Sequence, residues 1–150
     1  MTDVLREISK NKIALSDLDG TIADCEHRRH LIQGDKPDWD AFYEACDKDT
    51  PNEAVVSCLK ALDSNWHPIV IVSGRSESVR EKTETWLRAN LGPYDKLIMR
   101  PIKDNTPDEQ LKKRWLEDGT LPPKQDILCV FDDRDRVVKM FREEGLIVFQ

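Results

Sequence analysis

Two pairs of acidic residues set the chemistry open to this chain. Asp17-Leu18-Asp19-Gly20-Thr21 puts two carboxylates two residues apart, with a glycine and a hydroxyl behind them. Carboxylates held that close repel unless a cation or a proton lies between them. Gly20 permits a close backbone approach or a positive φ, and Thr21 offers both a hydroxyl and an N–H. Asp132-Asp133 is the second pair. It reads as ligands for a hard, oxygen-seeking cation or as the N-cap of a following helix. Ser73-Gly74-Arg75 supplies a hydroxyl, backbone N–H groups and a guanidinium, a set that suits phosphate oxygens. By itself that tripeptide needs no more explanation than a turn. Asp104, Asp108 and Lys112 are spaced by four, so on a helix the last two share a face. Lys112 is then placed to reach an anion, with Lys113 and Arg114 beside it as alternatives.

The elements that must carry these residues alternate. Short apolar runs at Lys12–Ser16, Pro68–Ser73, Lys96–Met99, Asp126–Phe131 and Leu146–Phe149 fit buried parallel strands. Asp17, Ser73 and Asp132 each stand at the end of such a run. Helix signals lie between them. Thr50-Pro51-Asn52-Glu53 and Thr106-Pro107-Asp108-Glu109 read as capping boxes, the first opening a helix over Asn52–Leu62. Ser78 and Glu81 cap a helix reaching Asn90, and Asp133–Glu144 is a further helix stopped by Gly145. This alternation predicts an α/β fold: a central parallel sheet of about five strands with helices on both faces.

Residues 24–50 are the exception. They follow the first strand, show no clean period, and scatter Trp39, Phe42 and Tyr43 through a polar stretch. We read them as a small cap over the C-terminal edge of the sheet, where open α/β sheets bind ligands. One domain over residues 1–150 is expected, with its core at 11–23 and 51–150 and the cap insert at about 24–50.

Bulk properties bound the reading. The chain has 150 residues, 39% hydrophobic and 35% charged, as in an ordinary globular domain. Its net charge of −6 argues against sequence-independent coating of nucleic acid. It does not bar one nucleotide or one strand end. No apolar run approaches the ~20 residues that span a bilayer, and Met1–Lys12 has no signal-peptide core, so a cytoplasmic protein is expected. Cys25, Cys46, Cys58 and Cys129 are widely spaced without a Cys-x-x-Cys pair, which predicts free thiols.

Taken in order, Asp17-Leu18-Asp19-Gly20-Thr21, Ser73-Gly74-Arg75, a helix lysine and Asp132-Asp133 resemble the four motifs of the haloacid dehalogenase (HAD) superfamily of phosphohydrolases. The strings IALSDLDGTIAD, IVIVSGR and FDDRDRVVKMFREEGL narrow the resemblance to the 3′-phosphatase domain of bacteriophage polynucleotide kinase–phosphatase and to small stand-alone phage phosphatases. CDKD at Cys46–Asp49 is similar to that domain's insert. Arg28 stands where the domain has an arginine needed for activity, and its register favours Lys112 over Lys113. No Gly-x-x-x-x-Gly-Lys-Ser/Thr loop is present, so no kinase half is expected in this chain.

The resemblance implies a three-layer Rossmann-like HAD fold and a Mg²⁺-dependent phosphomonoesterase working through an aspartyl phosphate on Asp17. Asp19 is the implied acid and base, and its pKa is expected to be raised by acidic neighbours. Asp17, the Asp19 backbone carbonyl and Asp132 are implied metal ligands. Asp133 is expected to act through a metal-bound water or to hold Lys112. Gly20, Thr21, Ser73, Gly74, Arg75 and Lys112 are implied to bind the phosphoryl group, and Arg28 the substrate. The expected substrate is a nucleotide or a nucleic-acid 3′ end, in host cytoplasm for a phage protein. The alternatives are a 5′-nucleotidase or small-metabolite phosphatase, a receiver-like phosphoacceptor domain, and an inactive binding module. Asp19 weighs against the receiver reading, since only the hydrolase needs a second acid there.

Overall fold

The computed structural model of the chain describes residues 11–150. The polar start of the chain lies almost wholly outside them. Five parallel strands form one sheet: β1 (Ile13–Ser16), β4 (Ile69–Ser76), β5 (Lys96–Arg100), β6 (Ile127–Phe131) and β7 (Val148–Phe149), in the order β5-β4-β1-β6-β7. β1 is central. Leu15 pairs with Val70 on one side and Val130 on the other. Parallel neighbours need a crossover, and four long helices supply it: α3 (Glu53–Ser64), α4 (Arg80–Asn90), α5 (Asp108–Glu117) and α6 (Asp135–Glu143).

Alternation along each strand divides the interior into two cores. Ala14, Ile69, Ile71, Leu97 and Met99 face one way, onto Val56 and Leu59 of α3 and Trp86 and Leu87 of α4. Leu15, Val70, Val72 and Ile98 face the other, onto Leu111 and Trp115 of α5 and Val137 and Phe141 of α6. A strand buried on both faces has no polar side to show, which is why these runs read as continuous apolar segments. The result is a three-layer α/β fold.

Residues 24–50 carry more order than their sequence suggests. A two-stranded antiparallel stem, β2 (Ala23–Asp24) with β3 (Thr50–Pro51), brackets α1 (Glu26–Arg29) and α2 (Trp39–Glu44), each followed by a 3₁₀ turn. Asp38 caps α2 by accepting from the Ala41 N–H at 2.9 Å.

The structure corrects the expected helix starts. Thr50 and Pro51 pair as a strand, so α3 opens at Glu53 with no side-chain cap. Thr106 does not cap α5: its own N–H donates to Asp104 Oδ1 at 2.9 Å and Pro107 precedes the helix. Ser76 holds the turn ahead of α4, accepting from the Ser78 N–H. Asp133 lies outside α6, which starts at Asp135. All four cysteines are free. Among the described residues no helix is long and apolar enough to cross a membrane.

Candidate active site

The ends of β1, β6 and β4 bring the motif residues to one edge of the sheet. Because β1 pairs with β6 through Ser16 and Phe131, the residues that follow, Asp17 and Asp132, emerge side by side. Asp17, Asp132 and Asp133 each offer an oxygen, and the three atoms lie within 4.8 Å of one another. Lys112 reaches them from α5. Its Nζ donates to Asp17 Oδ1 at 2.8 Å and Asp132 Oδ2 at 2.7 Å, and the residue is buried. Lys113 instead lies half exposed and pairs with Glu144 at 3.3 Å. Asp132, not Asp133, is therefore the second partner of the lysine, against one of the two roles expected for Asp133.

Thr21 and Gly20 shape the floor. The Thr21 hydroxyl lies 3.3 Å from Asp17 Oδ2 and 3.2 Å from Asp133 Oδ1. Gly20 has φ +84°, and a Cβ there would collide with the Asp133 carboxylate. Gly74 does the same service for Asp108, whose carboxylate fills the space a side chain would take. Ser73 is buried, and its Oγ accepts from the Arg75 N–H at 3.1 Å, leaving its proton free to donate.

Charge at this edge is unbalanced. Burial pushes the Asp17 carboxyl well above the usual carboxylate range, and Asp132 and Asp133 add to the effect against the pull of Lys112. Burial opposes charge on Lys112 too, but Asp17 and Asp132 overcome it and hold the ammonium above its ordinary value.

Asp19 departs from expectation. Its neighbours are two guanidiniums, not acids. Arg28 NH2 donates to Asp19 Oδ1 at 2.5 Å, Arg75 NH2 donates to the same oxygen, and Arg75 Nε reaches Oδ2 at 3.3 Å. Burial works to raise this carboxyl, but Arg75 and then Arg28 outweigh it, so its pKa is lowered. The expected rise is overturned because Arg75 of β4, and after it Arg28 of the insert, bring cations that spacing alone could not place.

Arg28 and Arg75 are likewise relocated. Both are buried, with donors already engaged. Arg28 donates from Nε and NH2 to Asp49 at 2.7 and 2.6 Å and from NH1 to the Phe42 carbonyl at 3.0 Å. Its guanidinium lies 4.1 Å over the Phe42 ring. Arg75 NH1 donates to Thr83 Oγ1 at 3.1 Å. These arginines direct their charge at Asp19 and Asp49.

Sequence reading missed the carboxylate beneath them. Asp49 takes both arginines and His27, whose Nε2 lies 2.7 Å away. It missed too that Asp108 is held by Arg100 and, at 2.7 Å, by Arg134. The CDKD string was the one available pointer to Asp49.

The polynucleotide kinase PNKP phosphatase domain family model matches residues 11–150. The chain belongs to this family. It is thus a HAD-superfamily hydrolase, a phosphatase. It is 33% identical over 139 residues to a bifunctional polynucleotide kinase/RNA ligase of Autographa californica nuclear polyhedrosis virus, covering 88% of this chain but 18% of that protein. It superposes on a chain of the Pnkp1/Rnl/Hen1 RNA repair complex with TM-score 0.77 and 31% identity, covering 95% of this chain and 42% of the other. The phosphatase therefore spans less than half the length of these relatives. A haloacid dehalogenase-like hydrolase from Streptococcus pneumoniae shares the fold, with TM-score 0.60 and 12% identity over 93% of this chain and 84% of that one.

Proposed function

We propose that the phosphatase removes a phosphate, 3′ by preference, from a nucleic-acid end or nucleotide through a covalent ester on Asp17. The observation that carries the chemistry is the convergence of the Asp17, Asp132 and Asp133 carboxylates, with the Lys112 ammonium bridging the first two. The family match and the kinase/ligase and RNA-repair relatives support the substrate class.

The residues fit a divalent cation. Three carboxylates against the one ammonium in contact with them leave two negative charges, and Asp132 and Asp133 add to the rise that burial imposes on Asp17. The donors are hard oxygens, the set Mg²⁺ takes. Asp17, Asp132 and Asp133 would hold it, with the Asp19 backbone carbonyl as a further proposed ligand. Bound there, Mg²⁺ supplies the positive charge that lets one anion approach another.

The chain's own residues do the rest. An oxygen of Asp17 attacks phosphorus, the bond to the leaving oxygen breaks, and Asp19 gives that oxygen its proton. Asp19 then takes a proton from water, whose oxygen attacks phosphorus and returns Asp17 as a free carboxylate with release of phosphate. An arriving phosphate dianion favours the protonated form of Asp19 against its two arginines. Lys112 would neutralise charge on the transferring group and the Ser73 hydroxyl would donate to one of its oxygens, with Thr21 and the backbone of Gly20 and Gly74 at its edge.

A phosphate-release panel tests this reading. The 3′-phosphorylated oligonucleotide should turn over fastest among 3′-phosphorylated oligonucleotides, 3′- and 5′-mononucleotides and sugar phosphates. Asp17→Asn should lose at least ~10³-fold on every substrate. Near-wild-type turnover by that variant, or undiminished activity in excess EDTA, would refute the chemistry. A clear preference for 5′-mononucleotides would refute the substrate.

A further inference from the structure

Asp49 is the one carboxylate of the site region buried without contact to the Asp17 cluster, and the reaction as written gives it no part. Its side chain is fully shielded from solvent. It stands at the foot of the cap, immediately before β3. Its carbonyl accepts from Trp86 Nε1 of α4 at 2.8 Å, which ties it to the body of the molecule.

Its contacts form a closed figure. Arg28 NH2 lies between Asp49 Oδ2 (2.6 Å) and Asp19 Oδ1 (2.5 Å). Arg75 NH2 lies between the same two oxygens, 3.2 Å from Asp49. Asp49 Oδ1 takes Arg28 Nε and His27 Nε2, each at 2.7 Å. Signs alternate around the ring, so each guanidinium is held from both sides. Asp19 is the only member open to water, with its side chain 19% exposed. Its Oδ1 is taken by both arginines, while Oδ2 has only the 3.3 Å contact from Arg75 Nε. Oδ2 is thus the oxygen left to exchange a proton.

We infer that Asp49 is a positioning residue: by fixing Arg28 and Arg75 from behind, it sets the orientation of the Asp19 carboxylate towards the leaving oxygen. Without its charge, Arg28 loses two of its three contacts to carboxylate oxygens and both guanidiniums are free to follow Asp19. The carboxylate then loses its fixed direction. A misplacement of about 1 Å costs up to ~100-fold in a step that depends on geometry. The cost should fall on esters whose leaving oxygen needs a proton. An alkoxide does; p-nitrophenolate leaves without one.

This inference rests on the proposed role of Asp19, and the experiment separates the two. Asp49→Asn, Asp49→Glu and Asp19→Asn are compared by kcat/KM, which reports transfer onto Asp17, using a 3′-phosphorylated oligonucleotide and p-nitrophenyl phosphate. Asp49→Asn should lose about 100-fold on the oligonucleotide and at least ~10-fold less on the aryl ester. In the Asp19→Asn background it should add no further loss on the oligonucleotide. Asp49→Glu keeps the charge and the ion pairs but moves them by a methylene, so it should show the same split in weaker form. If both Asp49 variants lose the two activities in equal proportion, or if Asp49→Asn and Asp19→Asn act additively, the positioning role is wrong, whatever the melting temperatures. If Asp19→Asn itself shows no split, the acid role of Asp19 fails instead.

Discussion

A side chain on Gly20 would have to hold a left-handed backbone and share space with the Asp133 carboxylate, since φ is +84° and the Cβ would sit on that carboxylate. The first demand costs an L residue about 1–2 kcal/mol. The second moves an oxygen from the set proposed to hold Mg²⁺. Gly20→Ala should therefore lower stability by about that amount and raise the Mg²⁺ concentration for half-maximal activity, read by urea denaturation and a metal titration. Lys112 is the other residue on which the acidic group depends. Lys112→Met leaves Asp17 and Asp132 buried without their shared cation. Breaking a buried pair from one side costs about 3–5 kcal/mol, so the variant should be destabilised by about that much in EDTA. Saturating Mg²⁺ should recover part of the loss, and a deficit unchanged by metal would count against a shared cation site.

At the scale of elements, the motif strands were legible because burial on both faces leaves an unmistakable apolar run. Asp17 and Asp132 follow strand ends for the same reason, whereas Ser73 lies inside β4, which runs on to Ser76 past a register shift in its pairing with β5. The helix starts were not legible. Thr50-Pro51 looks like a capping box, but pairing with Ala23 and Asp24 claims it for the stem of the cap, and tertiary pairing outranks a local signal worth about 1 kcal/mol. Arg28 and Arg75 could be found but not placed, because their partner Asp49 lies 21 and 26 residues away from them in sequence. Closure of that contact depends on α4. Trp86, buried, donates its indole N–H to the Asp49 carbonyl. Trp86→Phe keeps most of the apolar packing and deletes this one donor, leaving a buried acceptor unsatisfied. It should cost about 1–3 kcal/mol and loosen the cap first. Hydrogen exchange should speed up at Cys46–Thr50 more than in β1 or β6; uniform acceleration would show that Trp86 acts only through the common core.

Across the whole molecule the acidic balance has a consequence for acid stability. Asp104, Asp118 and Glu144 lie far apart in sequence, yet each is tied to hydrogen-bond donors. Asp104 is held low chiefly by the side-chain and backbone donors of Thr106, and then by Arg114. Asp118 is held low by Thr120, and Glu144 by Lys124 and Lys113. Their ordinary values are 3.8 for the two aspartates and 4.5 for the glutamate. A carboxyl whose folded pKa lies below its unfolded one binds fewer protons when folded, so unfolding takes up protons and stability rises with pH through that window. The contribution is complete above the unfolded values and disappears as pH falls through the folded ones. The melting temperature should therefore be flat in this respect from about pH 7 to pH 5 and fall below about pH 4.5. Asp118 is exposed and Asp104 and Glu144 are partly so, so salt screens the ion-pair share while the Thr106 and Thr120 bonds persist. Replacing Glu144 by Gln should flatten the upper part of the acid limb at low salt and change little at high salt. Replacing Asp104 by Asn should flatten its lower part at both. An acid limb unchanged in both variants would place the proton uptake elsewhere.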